Sequence, residues 1–410
     1  MKPRILIISP VTPYPVHHGA GSAIYGYIRA LRTEFDITFV GFCPPHLHAQ
    51  AQAGLDDLCQ RAYLFKLPEA RHLDAFSPIP YLFSNLQSEP MHQLVDHLLK
   101  EEQFDLVEVE YLGMADYAEG ARCPRIIRAH VQEWLHYYIN FQQTSGFGTR
   151  MEHLFWSVDA VRHNRAALES FDWVLVTSEE ERRRAREFVP SVNAEALPFI
   201  LMDCEYYVPA PVPPRNKQLL FVGFLPHTPN TDALQYFIRE EWPLIRRRDP
   251  EARLSVVGEG ASNALRGLMY DYGVDYLGFV KDLRTIYADT RVYIAPVTSG
   301  GGIRTKIVEA MTVGIPVVCN SFAPAGLGLL PEQHVIVRDN PRESVDAILH
   351  LLNDDQDWLA LRDRARGWVE NCYGLQKAGP RIAQRYLQFL RQSHQKSRRQ
   401  SGRQSGMEAA

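Results

Sequence analysis

Residues 298–309, Thr298-Ser299-Gly300-Gly301-Gly302-Ile303-Arg304-Thr305-Lys306-Ile307-Val308-Glu309, place three glycines, two cations and a carboxylate in one short run. Successive glycines let backbone amides approach an anion with no Cβ in the way. The run follows an apolar stretch, Val292–Ala295, and its periodicity predicts a helix over Ile303–Val313. The opening turn of a helix presents unpaired N–H groups and a partial positive charge. Arg304 and Lys306 would sit in that turn, where a helix by itself prefers anions. Their placement makes sense if a multiply charged anion, such as a diphosphate, docks in front. The plainer alternative is a turn carrying two solvated cations. Glu309 falls three residues after Lys306, on a neighbouring helical position. It is either a salt-bridge partner of Lys306 or Arg304, or an acceptor for a ribose diol, turned away from phosphates that would repel it.

Two other places invite chemistry. His130 ends the predicted strand Arg125–His130 and precedes Val131-Gln132-Glu133. Ligands in open α/β sheets bind beyond the carboxyl ends of strands, so His130 is a candidate. The alternative is a hydrogen-bonded core histidine, one of 15 in the chain. Glu133 would orient that histidine or simply begin a helix as a favourable first-turn anion. The loop Pro13-Tyr14-Pro15-Val16-His17-His18-Gly19-Ala20-Gly21 follows the first predicted strand. It lacks the GxGxxG spacing and the acidic partner of an NAD site. It is a strand-to-helix turn whose glycines would admit a ligand, or a turn and nothing more.

These residues need a scaffold. Short apolar runs, Arg4–Ser9, Asp36–Phe42, Phe104–Val109, Arg125–His130 and Asp172–Thr177, alternate with helical patterns such as Ser22–Arg32 and the charged helix from Ser178. Unbroken apolar strands between helices imply a parallel sheet covered on both faces. Residues 206–214, YYVPAPVPP, hold four prolines and read as a semi-rigid linker. The rhythm then restarts. Strands are predicted at Gln218–Val222, Arg253–Val257, Val274–Leu277, Val292–Ala295, Pro316–Cys319 and His334–Val337, and helices at Asp232–Glu240, Ile303–Val313 and Ser344–Leu352. The expected layout is two doubly wound α/β domains, 1–205 and 217–375, joined by a linker over 206–216. A helix over 376–392 would cross back to the first domain. Residues 393–410, polar and rich in Ser, Gln and Arg, are expected to be disordered.

Composition narrows the class. With 410 residues the chain can bury large cores. Forty-four Lys+Arg against 48 Asp+Glu give a net charge of -4, which argues against nucleic acid as the partner. No apolar run reaches the length of a membrane span, and the start of the chain lacks the pattern of a signal peptide. Six scattered Cys without a CxxC pair fit a reducing cytoplasm better than a disulfide or zinc scaffold. The charge runs Glu179–Arg186 and Arg246–Arg248 read first as solvated helix faces. A basic face touching anionic lipid or a lipid-diphosphate acceptor is the other reading.

The run from Gly300 to Val318 resembles the donor-site signature of retaining glycosyltransferases of family 4, in its GGGxRxK form. Phe221-Val222-Gly223 with Pro229-Asn230, Leu254–Gly258 and Leu277–Leu283 resemble other segments of that family's C-terminal domain, in the right order. The resemblance implies the GT-B fold: two Rossmann-like domains facing an interdomain cleft, with the C-terminal helix crossing back. It also implies site roles. Gly19, Gly21, Gly223, Phe279, Val280, Gly300, Gly301, Gly302, Ile303 and Glu309 would hold the donor, with Phe279 and Val280 lining the base. His130, Arg304 and Lys306 would be catalytic, and His130 resembles the histidine of the family's HNxE stretch. Many members carry two glutamates eight positions apart. Here Glu309 is the second, and Gly301 stands at the first, so sugar identity does not transfer.

The implied reaction moves a sugar from a nucleoside-diphosphate donor to a hydroxyl of a glycan or lipid-linked acceptor, with retention of configuration. Exopolysaccharide or lipopolysaccharide synthesis is the implied setting, in the cytoplasm and in possible peripheral contact with the inner membrane. Arg304, Lys306 and the glycine amides would stabilise charge on the departing diphosphate. That requires no metal or other cofactor. A nucleotide-sugar epimerase on the same fold and a non-catalytic nucleotide-sugar-binding subunit are the rival readings.

Overall fold

The structure, a computed structural model, describes residues 1–16, 19–68, 81–130, 132–143, 146–299 and 303–408. It divides into two compact units. One comprises Met1–Leu201 with the chain from Ala378 onward; the other is Met202–Lys377.

The first unit is built on seven strands: β1 (Arg4–Ser9), β2 (Asp36–Phe42), β3 (Arg61–Phe65), β4 (Leu106–Glu110), β5 (Arg125–Ala129), β6 (Trp173–Val176) and β7 (Ala194–Ala196). They lie in the order β3-β2-β1-β4-β5-β6-β7 and every pairing is parallel. The order reverses between β1 and β4, which is where open sheets of this kind take ligands. Helices α1 (Gly19–Leu31), α2 (His48–Asp56), α3 (Glu89–Glu101), α4 (Glu133–Gln143), α5 (Phe147–Ser170) and α6 (Glu179–Phe188) accompany the strands. The strand cores, among them Ile5 to Ile8, Val107 and Ile127, are fully buried, as a sheet covered on both faces demands. Gly19 and Gly21 fall in the first turn of α1, not ahead of it. First-turn amides have no intrahelical acceptor to lose, so glycine is tolerated there.

The second unit carries β8 (Gln218–Val222), β9 (Arg253–Val257), β10 (Asp275–Gly278), β11 (Val292–Ala295), β12 (Val317–Cys319) and β13 (Ile336–Val337). Their order is β10-β9-β8-β11-β12-β13, again all parallel, with the reversal between β8 and β11. Its helices are α7 (Thr228–Tyr236), which runs through a π turn at Phe237–Glu241 into α8 (Trp242–Arg248), then α9 (Asn263–Asp271), α10 (Arg284–Asp289), α11 (Thr305–Thr312), α12 (Pro341–Asn353) and α13 (Asp355–Cys372). The proline-rich stretch is held by α13. Arg366 donates to the carbonyls of Tyr207 (2.7 Å) and Cys204 (2.6 Å), and Arg362 to that of Ala210 (2.7 Å). A stretch poor in amide donors leaves carbonyls to be satisfied from elsewhere.

The last helix, α14 (Leu375–Glu408), joins the first unit from Ala378 onward. Tyr386 is fully buried there against Trp173, Phe35 and Tyr27, and Phe389 stacks on Trp173 at 4.7 Å. Arg385 pairs with Glu195 at 2.6 Å. The stretch from Ser393, expected to be disordered, continues this helix to Glu408. It extends an already nucleated helix, and its Gln, Arg and Lys residues are good helix formers.

Candidate functional site

In the second unit, β11 ends at Ala295 and the chain reaches the start of α11 within nine residues. Gly300, Gly301 and Gly302 lie outside the described residues. Ile303 precedes Arg304, the N-cap of α11, and the first turn of that helix contains no acid. Arg304 lays its guanidinium over the Phe322 ring at 4.2 Å, and burial lowers its pKa to about 10, which leaves it charged near neutrality. Lys306 donates to Glu309 Oε2 at 2.6 Å. The other carboxylate oxygen accepts from the buried Tyr287 hydroxyl at 2.8 Å. Glu309 is therefore anchored from two sides. The salt-bridge reading of its spacing holds for Lys306, and each carboxylate oxygen keeps a second lone pair for a ligand.

A cavity of about 310 Å³ opens at the carboxyl ends of β11 and β12. Thr298, Asn320, Ser321 and Phe322 line it, together with the buried carboxyl of Glu241. Glu241 accepts from Ser344 at 2.6 Å, and burial pushes its pKa up to about 7. A larger hollow, about 520 Å³, is lined from α12 and α13 and shares none of the residues expected from the sequence.

The neighbouring strand ends are built from glycine. Gly223 follows β8 and donates its N–H to Val257 O at 3.0 Å; Gly258 follows β9 and donates to Gly278 O at 2.8 Å. Gly258 has φ +150°, and a Cβ there would stand 1.8 Å from Gly223 O. Only glycine permits this approach. Phe279 and Val280 leave the end of β10, with the Phe279 ring exposed. An exposed ring at a strand end can stack on a planar base.

In the first unit, His130 is the first residue beyond β5, and its side chain is only 1% exposed. It stacks on Tyr111 (4.1 Å, 7° between planes) and meets Phe199 edge-on at 4.9 Å. Its Nε2 is hydrogen-bonded to Glu110 Oε2, while Glu110 Oε1 accepts from Arg128 at 2.7 Å. Arg128 lies over the Tyr27 ring at 3.5 Å, with Glu108 3.9 Å away. Burial, with the Arg128 charge beside it, holds the His130 pKa well below the usual range, so the ring is neutral. Burial and the neighbouring Glu110 push Glu108 up to about 8. Burial also raises Glu110, but the Arg128 charge opposes it. The cluster thus gathers one buried cation, two buried carboxyls whose pKa values are both raised, and a neutral imidazole. His130 Nδ1 is buried with no hydrogen-bond partner among the described residues. Tyr111, the stacking residue, has φ 74°, a costly conformation for a non-glycine residue.

Glu110, Glu108 and Arg128 were not singled out by sequence reasoning. The signal was there: two carboxylates alternating with valines in an otherwise apolar strand, Leu106-Val107-Glu108-Val109-Glu110. Glu133 does not orient His130. It opens α4, and burial beside Asn164 pushes its carboxyl up to about 8.

Among the described residues one group offers metal-ligand geometry, His350, Asp354 and Asp357, with ligand atoms within 4.8 Å of one another. It sits on α12 and α13, outside both clusters above, and His350 Nε2 is bonded to Asp357 at 2.6 Å. No helix among the described residues is long and apolar enough to cross a membrane.

Residues 216–354 match the family model "Glycosyl transferases group 1", so the second unit carries a domain of that type. The chain is 23% identical over 377 residues to an uncharacterized 44.6 kDa protein in the cps region of Klebsiella pneumoniae, covering 88% of this chain and 93% of that one. Among solved structures it resembles a sucrose-phosphate synthase from Thermosynechococcus elongatus (TM-score 0.70, 17% identity, 96% of this chain and 100% of the other). It also resembles Anabaena HepE solved in complex with UDP (TM-score 0.67, 15% identity, 95% and 100%). These likenesses establish two Rossmann-like parallel-sheet units of the GT-B type.

Proposed function

We propose that this chain is a retaining glycosyltransferase that moves a sugar from a nucleoside diphosphate to a hydroxyl of a glycan or lipid-linked acceptor, in the synthesis of a capsule, exopolysaccharide or related polysaccharide. The observation that carries the reading is the pair Arg304 and Lys306 at the opening of α11, directly beyond the strand where the sheet order reverses. The group 1 domain over 216–354 supports it. The relative in a cps region supports the pathway, and HepE, solved with UDP and with UDP-glucose, makes a UDP-sugar the first donor to test.

In this reading the anomeric C–O bond to the diphosphate breaks and a C–O bond to the acceptor forms. The acceptor's proton passes to the departing phosphate. Arg304, Lys306 and the amides of Gly300, Gly301 and Gly302 stabilise the charge as it develops, which needs no metal. Glu309 takes the ribose hydroxyls, Phe279 and Val280 face the base, and Gly223 gives the donor room. Gly19 and Gly21 supply close backbone approach from the first turn of α1. His130 holds a substrate hydroxyl through Nδ1, which a ligand reaches only when Tyr111 or Phe199 yields. Tyr111, strained at φ 74°, is the residue with backbone energy to release. The reaction belongs on the cytoplasmic side, where nucleotide sugars are made.

The test is a thermal-shift series with UDP-, GDP- and ADP-sugars, followed by nucleoside-diphosphate release with and without polysaccharide or lipid-linked acceptors. A ligand at about 100 times its Kd adds about 2.7 kcal/mol to stability. Stabilisation by one nucleotide class, lost in Arg304→Ala, is expected. No stabilisation by any of them, or an unchanged response in that variant, would sink the diphosphate assignment. Sugar interconversion without diphosphate release would make the protein an epimerase instead. Binding without either reaction would make it a non-catalytic subunit.

A further inference from the structure

Helix α5 buries one face and leaves a second apolar face uncovered. Ser157, Ala160, Asn164, Ala167 and Leu168 form the buried side. Toward α4, His153 and Trp156 meet Tyr137 at 6.0 and 5.2 Å. The opposite side carries Phe147 (82% exposed), Met151 (44%), Phe155 (51%) and Val158 (65%). Their spacing of four, four and three residues places all four within about 80° of arc at 100° per residue. This is a stripe along one helix, not scattered exposure. Tyr138 of α4 is also exposed and lies 6.2 Å from Phe141.

Cations border the stripe. Arg150 lies over the Phe141 ring at 4.7 Å. Arg162 and Arg165 continue the same arc in the following turns; Arg165 pairs with Glu169 at 2.9 Å, and Arg162 has no ion pair among the described residues. By contrast, the arginine-rich helix α6 spends its cations on itself. Arg182 pairs with Glu179 and Arg184 with Glu180, both at 2.6 Å, and Arg183 approaches Glu187 at 4.0 Å.

We propose that the Phe147–Val158 face of α5 seats the first unit on a membrane surface bearing anionic lipid. A convex strip of phenyl and thioether side chains with arginines at its margin matches the interfacial layer of a bilayer. Rings enter the acyl boundary while guanidinium groups stay at the phosphates. A protein groove would have to wrap a single convex helix and leave Arg162 to find its own counter-charge. Among the described residues no helix is long and apolar enough to cross a membrane, so the contact proposed is a peripheral one. The proposal gives the face by which a transferase would meet lipid-linked acceptors, but it stands apart from the transfer reaction and is tested without it.

The test is co-sedimentation of the full chain with phosphatidylcholine vesicles, with and without phosphatidylglycerol. The wild type binds the anionic vesicles preferentially. Joint substitution Phe147→Ser and Phe155→Ser lowers the partition coefficient at least about tenfold, because two buried phenyl groups are lost. Joint substitution Arg150→Gln and Arg162→Gln leaves the apolar stripe intact and removes about fivefold of the anionic preference per arginine. Both variants keep the wild-type melting temperature, since all four side chains are exposed. The proposal is overturned if the wild type ignores anionic vesicles or if the serine variant binds as well as the wild type. It is also overturned if sedimentation shows a wild-type dimer that the serine variant abolishes, for the occupant would then be a second copy of the chain.

Discussion

Glu110 and His130 lie 20 residues apart in the chain, and the carboxylate of the first holds Nε2 of the second inside the first unit. Two adjacent parallel strands make this possible, because β4 ends at Glu110 in register with Arg128 of β5. Arg128 bonds one oxygen of Glu110 and opposes the rise that burial imposes on its pKa, while Nε2 of the neutral ring bonds the other oxygen. Nδ1 is left without a hydrogen-bond partner among the described residues. In the proposed reaction Glu110 would act on a substrate only through the histidine.

Glu110→Gln keeps the size of the side chain and replaces one carboxyl oxygen with an amide nitrogen. We expect kcat to fall at least about tenfold, the scale on which orienting partners of functional histidines act. The distinguishing measurement is a double-mutant cycle. With His130 already replaced by Ala, Glu110→Gln should cost little more in kcat, because the two groups act as one unit. Full additivity would reduce Glu110 to a structural counter-ion of Arg128.

On the second unit, Tyr287→Phe removes the hydroxyl that anchors Glu309 Oε1. The carboxylate then swings with Lys306 alone. A donor KM raised several-fold with kcat held within about twofold is expected, the pattern of lost ground-state positioning. Stability should drop by about 1 kcal/mol for the lost hydrogen bond. Steady-state kinetics with varied donor checks the first expectation and urea unfolding the second.

These two sites differ in how far the sequence revealed them. Strands β1, β2, β8, β9 and β11 have the bounds that their apolar runs predict, since a strand buried on both faces must be apolar throughout. The α11 cluster is local, so spacing alone brings Lys306 to Glu309. Tyr287 arrives from another helix, and only packing supplies it. The first-unit cluster is tertiary from the start. The strand predicted over Phe104–Val109 lies over Leu106–Glu110, and the alternation of carboxylates with valines, which sets both acids on one face, gives no hint that they are buried. Only Arg128 across the sheet, with Tyr27 and Tyr386 over that face, makes burial tolerable. Strands β3 and β7 escaped because they are the two edges of the first sheet, the one only half-buried along its length and the other three residues long, so neither is apolar throughout.

Two glycines provide opposite outcomes for the same substitution. Gly258→Ala forces a Cβ to 1.8 Å from Gly223 O at φ +150°. A loss of about 2–4 kcal/mol follows from overpacking and backbone strain combined. Any folded fraction should bind donor more weakly, because Gly223 must move. Gly267, inside α9, has nothing within 4 Å of an added Cβ. Gly267→Ala should stabilise by about 0.5–1 kcal/mol through helix propensity. Urea unfolding of both variants, with donor titration of the first, measures the contrast.

The buried carboxyl of Glu241 gives stability a pH dependence of known sign. Its pKa rises from 4.5 to about 7 on folding, chiefly through burial and against the Ser344 hydrogen bond. The folded state therefore holds this proton more tightly than the unfolded chain. The resulting stabilisation is complete below pH 4.5 and is lost as pH rises through 7. The shift corresponds to about 3 kcal/mol. Glu241→Gln cannot ionise, yet its carbonyl still accepts from Ser344, so this part of the decline should vanish. Glu108 and Glu133, each raised to about 8, titrate higher and keep their share of the slope in the variant. Urea unfolding between pH 5 and 8 should thus give wild-type and variant curves that diverge up to about pH 7 and run parallel above it. Curves that stay parallel across the whole range would mean that Glu241 is already ionised in the fold, with its charge met by a group lining the cavity.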